Sequence, residues 1–454
     1  PHALYEVVAL LNTRPDTDLV YSDEDKLDAG GRRREPYFKP DFEPDLFTGQ
    51  NYITHLVVYR AALLRATGGF RVGLEGSQDW DLALRFLERT SPERVRHVPK
   101  VLYHWRAITG STAFRAGEKA YHPEAARRAL AEHFARRGLA VELSPVPGGH
   151  WRVRYPLPAP APFVSLIIPT RNGGKLLRRC VDSIIEKTTY PAYEIIIVDN
   201  GSDDPELLAY LQALESRQAP ALQGVPPERA RVQVLHDASP FNYSTLNNHA
   251  VAQARGKIVG LLNNDLEVIN GGWLEEMASQ AARPEIGCVG AMLYYPNGTI
   301  QHAGVVLGVG GVAGHAFRDY PRGTEGRFNG ARLVQNYSAV TAACLVIRKS
   351  VFVEVGGLDE KELAVAYNDI DFCLKVRAAG YRNLWTPFAE LYHHESASRG
   401  ADDTHEKRER FRQETATMLV RWGPELKQDP AYNPNLTHEL NDFSLAVPPR
   451  SWTP

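Results

Sequence analysis

The sequence predicts an α/β protein built on a mostly parallel β-sheet flanked by helices, and two neighbouring segments are the main support. Residues 163–172 and 193–203 each start with an apolar, β-branched run and stop abruptly at polar residues. Runs of this kind are typical of strands that a parallel sheet buries on both faces. Residues 176–185, between them, carry apolar side chains at helical spacing, so this region is predicted as strand, helix, strand.

Polar residues end both predicted strands and mark a candidate ligand site. Open α/β sheets bind ligands in the crevice outside the carboxyl ends of their strands. The crevice of this sheet would hold four polar residues, Thr170, Asn172, Asp199 and Asp203. No Gly-x-Gly-x-x-Gly follows the first strand and no Walker loop occurs, so hydride transfer and ATP hydrolysis lose their main sequence support.

A third apolar run, residues 256–265, ends in Asn-Asn-Asp at 263–265. Together with Pro-Thr-Arg-Asn at 169–172 and Val-Asp-Asn-Gly-Ser at 198–202, this order of motifs resembles the inverting family 2 glycosyltransferases of the GT-A fold. The resemblance extends over residues 163–422. It implies transfer of a sugar from a nucleotide-diphosphate donor to a growing bacterial surface glycan or its lipid-linked precursor.

The resemblance also implies roles for individual residues. The implied donor contacts are Pro169, Thr170, Asn172, Asp199, Asp203, Asn248, Asn264 and Arg399. From the residues alone, a turn-forming role for Asp199 ahead of Asn-Gly remains open. The sequences of residues 368–372 and 393–400 are similar to those of rhamnosyltransferases and O-antigen assembly enzymes.

Asp265 and His393 are the implied metal ligands, and the implied cofactor is a divalent cation, Mg²⁺ or Mn²⁺. Such a cation prefers oxygen ligands and would neutralise charge on the leaving diphosphate. The family usually has two aspartates in this motif, whereas here Asn263 and Asn264 precede Asp265, so one carboxylate is missing. A helix N-cap role for Asp265 is compatible with metal binding. His394 would point the other way on a strand.

Asp369 matches the position of the family's catalytic base. An inverting displacement needs a carboxylate on the face opposite the leaving group, where it can deprotonate the attacking hydroxyl. Asp371, two residues further on, would face away on a helix and is expected to be structural. A helix N-terminus is the alternative role for Asp369.

The segment before residue 163 repeats part of the segment after it. Residues 68–82 correspond to 356–372, and residues 103–105 correspond to 392–394. A two-copy repeat of this length indicates tandem domains rather than a solenoid.

Four segments are therefore expected. They are 1–144, the acceptor-side, C-terminal half of a GT-A domain; 145–162, a proline-rich linker; 163–422, a complete GT-A domain; and 423–454, a tail. In this alignment the nucleotide-binding half of the first copy would lie before residue 1, so the first copy is expected to be partial.

Asp79 and His104 are the counterparts of Asp369 and His393 in the repeat, and they are expected to form a vestigial or incomplete first site. Ser-Asp-Glu-Asp at 22–25 looks like an Asp-x-Asp metal motif. The alignment sets it well past the metal motif of the second copy, which favours a polar loop on the acceptor side instead.

Composition limits the classes of partner. A formal net charge of −2 gives no general reason to bind nucleic acid. Four cysteines without Cys-x-x-Cys spacing are expected as buried free thiols in a reducing compartment. No apolar run is long enough for a membrane-spanning helix and no signal peptide opens the chain, which favours the cytoplasm, with peripheral association at the inner face of the membrane as an option.

One rival hypothesis is a non-catalytic protein that retains the glycosyltransferase fold. A glycan-binding or scaffolding module would explain why the metal motif lacks one carboxylate and why the first copy is partial. Retention of Asp199, Asp369 and His393 together favours an enzyme. Nucleotidyl transfer is a weaker rival, because no Gly-rich phosphate loop with a lysine is visible.

Overall fold

The computed structural model describes residues 2–106, 123–226, 230–394 and 404–450. The chain divides into two compact units. The first unit comprises Pro1–Pro156, Glu325–Gln335 and Gln428–Pro454, and the second comprises Leu157–Thr324 and Asn336–Lys427. The described residues include no helix that is long and apolar enough to cross a membrane.

The first unit is a small α/β structure centred on one strand. Its helices are α1 Ala3–Thr13, α2 Pro44–Gly49, α3 Ala61–Thr67, α4 Gln78–Leu87 and α5 Pro123–Arg136. Its strands are β1 Leu19–Leu27, β2 Arg33–Tyr37, β3 Val57–Tyr59, β4 Val95–Arg106, β5 Glu142–Val146 and β6 His150–Arg154. The first half of β1 pairs antiparallel with β3, the second half pairs antiparallel with β2, and β4 runs parallel along β1.

Both faces of β1 are covered, because successive side chains of a strand point to opposite sides. Leu19 and Tyr21 pack in a core with Trp80 of α4. Val20 faces the other way, into a smaller cluster with Val7 of α1. These contacts cover the start of β1, which is buried from its first residue to Asp25.

Three segments differ from the expected domain boundaries. The hairpin of β5 and β6 falls partly within 145–162, where a linker is expected, and Trp151 is buried in the core of the first unit. Leu333, which falls within the expected complete GT-A domain of residues 163–422, packs in that same core of the first unit. In the expected tail, Asn433 donates to both carboxylate oxygens of Asp23. These contacts join residues far apart in the chain, so local sequence patterns do not reveal them.

Asp23 is at the centre of a buried polar cluster in the first unit. Its carboxylate also accepts from the backbone N–H of Lys39 at 2.9 Å. His97 Nε2 lies 2.9 Å from Asp23 Oδ1, and His97 Nδ1 lies 3.3 Å from Asp41 Oδ1. Burial opposes protonation of His97, but the two carboxylates outweigh it and raise the pKa of His97 to about 9. The Asp23 carboxylate is thus committed to internal partners.

The second unit is larger and is built on a mixed sheet flanked by helices. Its helices are α6 Gly174–Lys187, α7 Pro205–Glu215, α8 Tyr243–Gln253, α9 Trp273–Ala281, α10 Lys349–Glu354, α11 Asn368–Ala378 and α12 His405–Lys427. Its strands are β7 Val164–Thr170, β8 Tyr193–Asp199, β9 Ala230–His236, β10 Ile258–Leu262, β11 Leu266–Val268, β12 Ile286–Tyr294, β13 Ile300–His302, β14 Val305–Leu307, β15 Ala313–His315, β16 Cys344–Arg348 and β17 Arg382–His393. The order in the main sheet is β11-β17-β12-β16-β10-β7-β8-β9, with β13 on β12, while β14 and β15 form a separate hairpin.

The predicted α/β class is confirmed. The two apolar runs form β7 and β8, which are buried along their whole length, and the intervening helix is α6. Strands β10, β7, β8 and β9 are parallel to one another. The four cysteines are buried free thiols, as expected.

The two units share a pattern of strand pairing. In the second unit β12 pairs parallel with β17 and antiparallel with β16. In the first unit β1 pairs parallel with β4 and antiparallel with β3. A helix precedes β1 and β12 in the chain, and another precedes β4 and β17. The expected tandem domain division remains a prediction.

The charged state of His97 should stabilise the protein below neutral pH. Because its pKa is raised from 6.5 to about 9 in the folded chain, its contribution is fully present below pH 6.5 and is lost as the pH rises to about 9. The His97→Gln variant should lose about 3 kcal/mol of unfolding free energy at pH 6 and progressively less towards pH 9. Urea unfolding at several pH values measures this difference.

His133→Gln is the matched control. Burial lowers the pKa of His133, so its imidazole is not protonated between pH 6.5 and 9. The effect of His133→Gln on the unfolding free energy should therefore stay constant over that range. An equal loss for His97→Gln at pH 6 and pH 9 would contradict the ionic role of His97.

Candidate functional site

The first two motif loops meet at the carboxyl ends of β7 and β8. Thr170 lies opposite Asp199 in the parallel register, and the backbone N–H of Asn200 donates to the Thr170 carbonyl at 2.8 Å. The Thr170 hydroxyl accepts from Asn264 Nδ2 at 3.0 Å, which brings the third motif to the same edge. Pro169 is buried within β7, one residue before this edge. The loops predicted to form one crevice therefore lie together.

Asn172 ties the first loop to the second. Its φ of 53° is left-handed, a conformation that asparagine tolerates better than most residues. Its Oδ1 accepts from the backbone N–H groups of Asp203 at 3.0 Å and Asp204 at 3.2 Å. Its Nδ2 donates to Asp203 Oδ1 at 2.9 Å, and its own N–H donates to Ser202 Oγ at 2.9 Å. Asn172 and Asp203 thus shape the crevice, and their contact with a donor stays a prediction.

Asp199 combines a turn contact with an outward-facing one. Its side chain is buried, and Oδ1 accepts from the backbone N–H of Ser202 at 3.1 Å, as the turn-forming alternative requires. Its Oδ2 lies 3.2 Å from Nδ1 of His236, whose side chain is 67% exposed. Sequence reasoning missed His236. It ends β9, where Arg231 and Gln233 interrupt the apolar residues, so the strand lacks the continuous apolar run that marked β7 and β8.

Asp265 and His393 are brought together by backbone pairing. Strand β11 pairs antiparallel with β17, with Leu266 opposite His393, and the backbone N–H of His394 donates to the Asp265 carbonyl at 2.9 Å. Asp265 Oδ1 and His393 Nε2 consequently lie 3.1 Å apart. Both side chains are buried.

His393 has a further partner on the opposite side of its ring. Gln301 on β13 places Oε1 2.7 Å from His393 Nδ1. Asn263 Nδ2 lies 3.2 Å from His393 Nε2. Gln301 lies outside the motif loops that were predicted as functional. It carries no motif signal, because its contact with His393 exists only in the folded sheet.

One carboxylate oxygen and one imidazole nitrogen therefore lie side by side. This donor pair fits a divalent cation that takes few protein ligands and completes its shell with diphosphate oxygens and water. Among the described residues, no group of three or more histidine, cysteine, aspartate or glutamate side chains is arranged to hold a metal ion. Asp265 and His393 would thus be the protein's share of such a site.

His394 faces away from this pair, as strand alternation predicts. Its Nε2 lies 3.1 Å from Glu267 Oε2, and the Arg179 guanidinium lies 3.3 Å from its Nδ1. Of the two adjacent histidines, His393 is therefore the one that meets Asp265.

Asp369 stands at the first turn of α11. Its Oδ1 accepts from the backbone N–H of Ile370 at 2.9 Å and its Oδ2 from that of Ala342 at 3.1 Å. Burial raises the pKa of the Asp369 carboxyl, and these hydrogen bonds offset only part of that effect. The neighbouring Ala343 carbonyl accepts from Asn263 N–H at 3.0 Å, which connects Asp369 to the third motif.

Asp371 is engaged in the interior, in keeping with its expected structural role. Its fully buried carboxylate accepts from Arg421 Nη1 at 2.7 Å and from Trp422 Nε1 at 2.9 Å, both on α12. Lys375 Nζ lies 3.4 Å from the other oxygen. These contacts anchor α12 to α11.

Asn248 and Arg399 are the two remaining residues that are expected to contact the donor. Asn248 on α8 binds the chain after Gly357: its Nδ2 donates to Leu358 O at 2.9 Å and its Oδ1 accepts from Leu358 N at 3.0 Å. This supports the loop, and a donor contact for Asn248 stays a prediction. Arg399 lies outside the described residues.

In the first unit, Asp79 and His104 do not contact each other in the described structure but each has its own partner. Asp79 Oδ2 accepts from Asn51 Nδ2 at 3.1 Å. His104 Nδ1 lies 2.5 Å from Asp25 Oδ1, and Asp25 also accepts from Arg33 Nε at 2.5 Å. Their assignment as a vestigial site stays a prediction.

Two relatives are similar to this chain over nearly its whole length. An uncharacterized protein of Sinorhizobium fredii is 53% identical over 451 residues, covering 99% of this chain and 48% of the relative. An O-antigen biosynthesis protein of Myxococcus xanthus is 41% identical over 446 residues, covering 98% of this chain and 33% of the relative. The chain thus spans about half the length of the first relative and a third of the second.

A third relative matches over a shorter stretch. The N-acetylglucosaminyl-diphospho-decaprenol L-rhamnosyltransferase of Mycobacterium tuberculosis is 25% identical over 259 residues, covering 52% of this chain and 78% of the relative. Residues 165–356 match the sequence profile of glycosyl transferase family 2. That range contains the three motif loops and Asp265, and the domain of this chain that carries them therefore belongs to the glycosyl transferase family 2.

Proposed function

We propose that this chain transfers a sugar, with inversion at the anomeric carbon, from a nucleotide-diphosphate donor to a glycan or lipid-linked acceptor of a growing surface polysaccharide. The observation that carries the proposal is the meeting of Asp265 Oδ1 and His393 Nε2, 3.1 Å apart, at the same sheet edge as Thr170 and Asp199. A donor-binding loop system beside a cation-binding pair is the arrangement that a diphosphate leaving group requires.

The base and ribose of the donor would bind beside Asp199. A cavity of about 350 Å³ adjoins the end of β8 and is lined in part by Val198, His236, Asp237 and His249. Apolar walls with a few convergent polar groups suit a nucleobase, and a carboxylate accepts hydrogen bonds from ring N–H or ribose hydroxyl groups. Thr170, Pro169 and Asn264 would complete the wall on the side of the diphosphate.

The divalent cation, Mg²⁺ or Mn²⁺, would be held by Asp265 and His393. When bound, it supplies positive charge that stabilises the leaving diphosphate. The chain's own contribution is to hold the two ligand atoms together: the β11–β17 backbone contact fixes their strands, and burial of both side chains limits competition from water.

Asp369 would deprotonate the acceptor hydroxyl. The two backbone N–H groups that it accepts from fix its orientation, and its raised pKa makes it a stronger base than an ordinary aspartate once ionised. Hydrogen bonds through the neighbouring Ala342 and Ala343 connect it to Asn263, which supports a base near the cation motif.

The named relatives support the choice of acceptor. One is an O-antigen biosynthesis protein and another transfers L-rhamnose to a diphospho-decaprenol-linked sugar. We extend the proposal to a deoxyhexosyl or hexosyl donor and to a cytoplasmic reaction at the inner face of the membrane, with peripheral association through the lipid-linked acceptor. We include no nucleic-acid partner, because a formal net charge of −2 gives no general reason for one.

Removing the Asp265 carboxylate should abolish cation-dependent turnover. The Asp265→Ala variant should lose donor hydrolysis and transfer by on the order of 10²-fold or more, because His393 alone holds the cation poorly. A panel of nucleotide sugars assayed with Mg²⁺ and with Mn²⁺ measures this.

Glu267→Ala is the matched control, since Glu267 lies two residues further on and contacts His394 instead. It should retain most of the turnover. Full activity of the parent chain in excess EDTA, or of Asp265→Ala, would contradict the cation assignment. Glycan binding without turnover of any donor would favour the rival, a binding module.

Replacing the proposed base should lower the rate without weakening donor binding. Asp369→Asn keeps the shape of the side chain and removes its basicity, so kcat should fall by about 10²-fold or more while donor affinity changes little. Single-turnover kinetics and calorimetric titration of the donor measure the two quantities.

The pH profile provides a second readout for Asp369. Its carboxylate must be ionised to act as a base, and burial raises its pKa, so kcat/KM of the parent should fall with decreasing pH at a higher pH than an ordinary aspartate would give. Asp319→Asn, at an exposed position, should leave this fall of kcat/KM at low pH unchanged. Loss of donor binding with an unchanged rate in Asp369→Asn would show that the base is misassigned.

A further inference from the structure

The imidazole of His393 sits between two amide side chains that treat its two nitrogens differently. Gln301 is 4% exposed, and its Oε1 lies 2.7 Å from Nδ1. An amide oxygen only accepts hydrogen bonds, so the ring nitrogen facing it must carry the hydrogen. Nδ1 is therefore the donor in this contact.

The other nitrogen has the opposite character. Asn263 Nδ2 lies 3.2 Å from His393 Nε2, and an amide nitrogen only donates, so Nε2 offers its lone pair. The same lone pair is 3.1 Å from Asp265 Oδ1. Both contacts describe one neutral tautomer, with the hydrogen on Nδ1 and the lone pair beside the Asp265 carboxylate.

We propose that Gln301 is a positioning residue that holds the hydrogen of His393 on Nδ1, so that Nε2 is presented as a ligand atom beside Asp265. The inference rests on the proposed cation site and identifies a residue outside the motif loops on which that site depends. Gln301 acts through His393 and touches neither donor nor cation itself.

The competing tautomer explains why a positioning residue is needed. With its hydrogen on Nε2, His393 would donate directly to Asp265 Oδ1 across the same 3.1 Å. That hydrogen bond would join the two ligands to each other and cover the lone pair that a cation needs. Asp265 by itself favours this closed form, because a carboxylate attracts an N–H group.

Ring orientation is the second freedom that Gln301 removes. The backbone bond from His394 N–H to Asp265 O fixes the strands, but it does not determine which edge of the imidazole faces Asp265. A ring turned by half a revolution would present carbon to both Gln301 and Asp265. The 2.7 Å bond to Gln301 is lost in that orientation, so it selects the one in which Nε2 faces the carboxylate.

Three variants separate this role from simple packing. Gln301→Leu removes the acceptor and keeps a side chain of similar volume. Gln301→Glu restores an acceptor oxygen at the same reach. Gln280 is another buried glutamine of the same unit, on α9, and it accepts from Arg283 Nη1 at 2.8 Å. Gln280→Leu therefore controls for the loss of a buried amide.

The direct test reads the tautomer in the metal-free protein. Imidazole ¹⁵N chemical shifts, assigned by comparison with His393→Ala and recorded at about pH 8, where histidine is ordinarily neutral, should show Nδ1–H in the parent and in Gln301→Glu. Gln301→Leu should show a shift towards Nε2–H. Unchanged shifts in a folded Gln301→Leu protein, or Nε2–H in the parent, would overturn the inference.

The second test measures the consequence with Mn²⁺ alone as the probe. Water-proton relaxation enhancement should show that Gln301→Leu weakens Mn²⁺ binding by about 10- to 100-fold, that Gln301→Glu restores it, and that Gln280→Leu leaves it unchanged. Equal affinity in the parent and in Gln301→Leu would count against Gln301. Mn²⁺ affinity that Asp265→Ala does not lower would instead overturn the cation site, while the ¹⁵N shifts would still report on Gln301 independently.

Discussion

The antiparallel pairing of β11 with β17 is the contact on which the candidate site depends. A strand of three residues, Leu266–Val268, is short, yet its register sets Leu266 opposite His393 and lets His394 N–H donate to the Asp265 carbonyl. Backbone hydrogen bonds are directional and buried here, so a shift by one residue would turn the side chains to the wrong face. The 3.1 Å approach of Asp265 to His393 follows from this register.

The rest of the site is arranged around that fixed point by amide side chains. Asn172 joins the first loop to the second, Asn264 joins the third loop to Thr170, and Gln301 and Asn263 hold the two nitrogens of His393. Amides suit this task because each offers a donor and an acceptor without adding charge. The Asp203 carboxylate accepts from Asn172, whereas those of Asp199, Asp265 and Asp369 are the ones proposed to act on the donor, the cation and the acceptor.

Helices α4 and α11 each carry two aspartates, and the two aspartates of each helix have different partners. In the second unit Asp371 is buried against Arg421 and Trp422, whereas Asp369 accepts hydrogen bonds from backbone N–H groups and a nearby hydroxyl. In the first unit Asp81 is buried against Arg71 and Arg85, while Asp79 accepts from Asn51. The second aspartate of each pair is committed to ion pairs, whose cationic partners offset the cost of burying its carboxylate.

The sequence by itself determined the parallel core and its polar ends. Strands β7, β8 and β10 and helix α6 follow from apolar runs and helical spacing, which are local properties, and the polar residues that end these strands lie at one edge because parallel strands point the same way. The motif loops and their family were recognisable for the same reason. Only the tertiary structure decided which unit takes residues 325–335 and 428–454, that Asn248 supports a loop, and that Gln301 and His236 face His393 and Asp199. Those contacts join residues far apart in the chain through sheet register and side-chain packing, which no local pattern encodes.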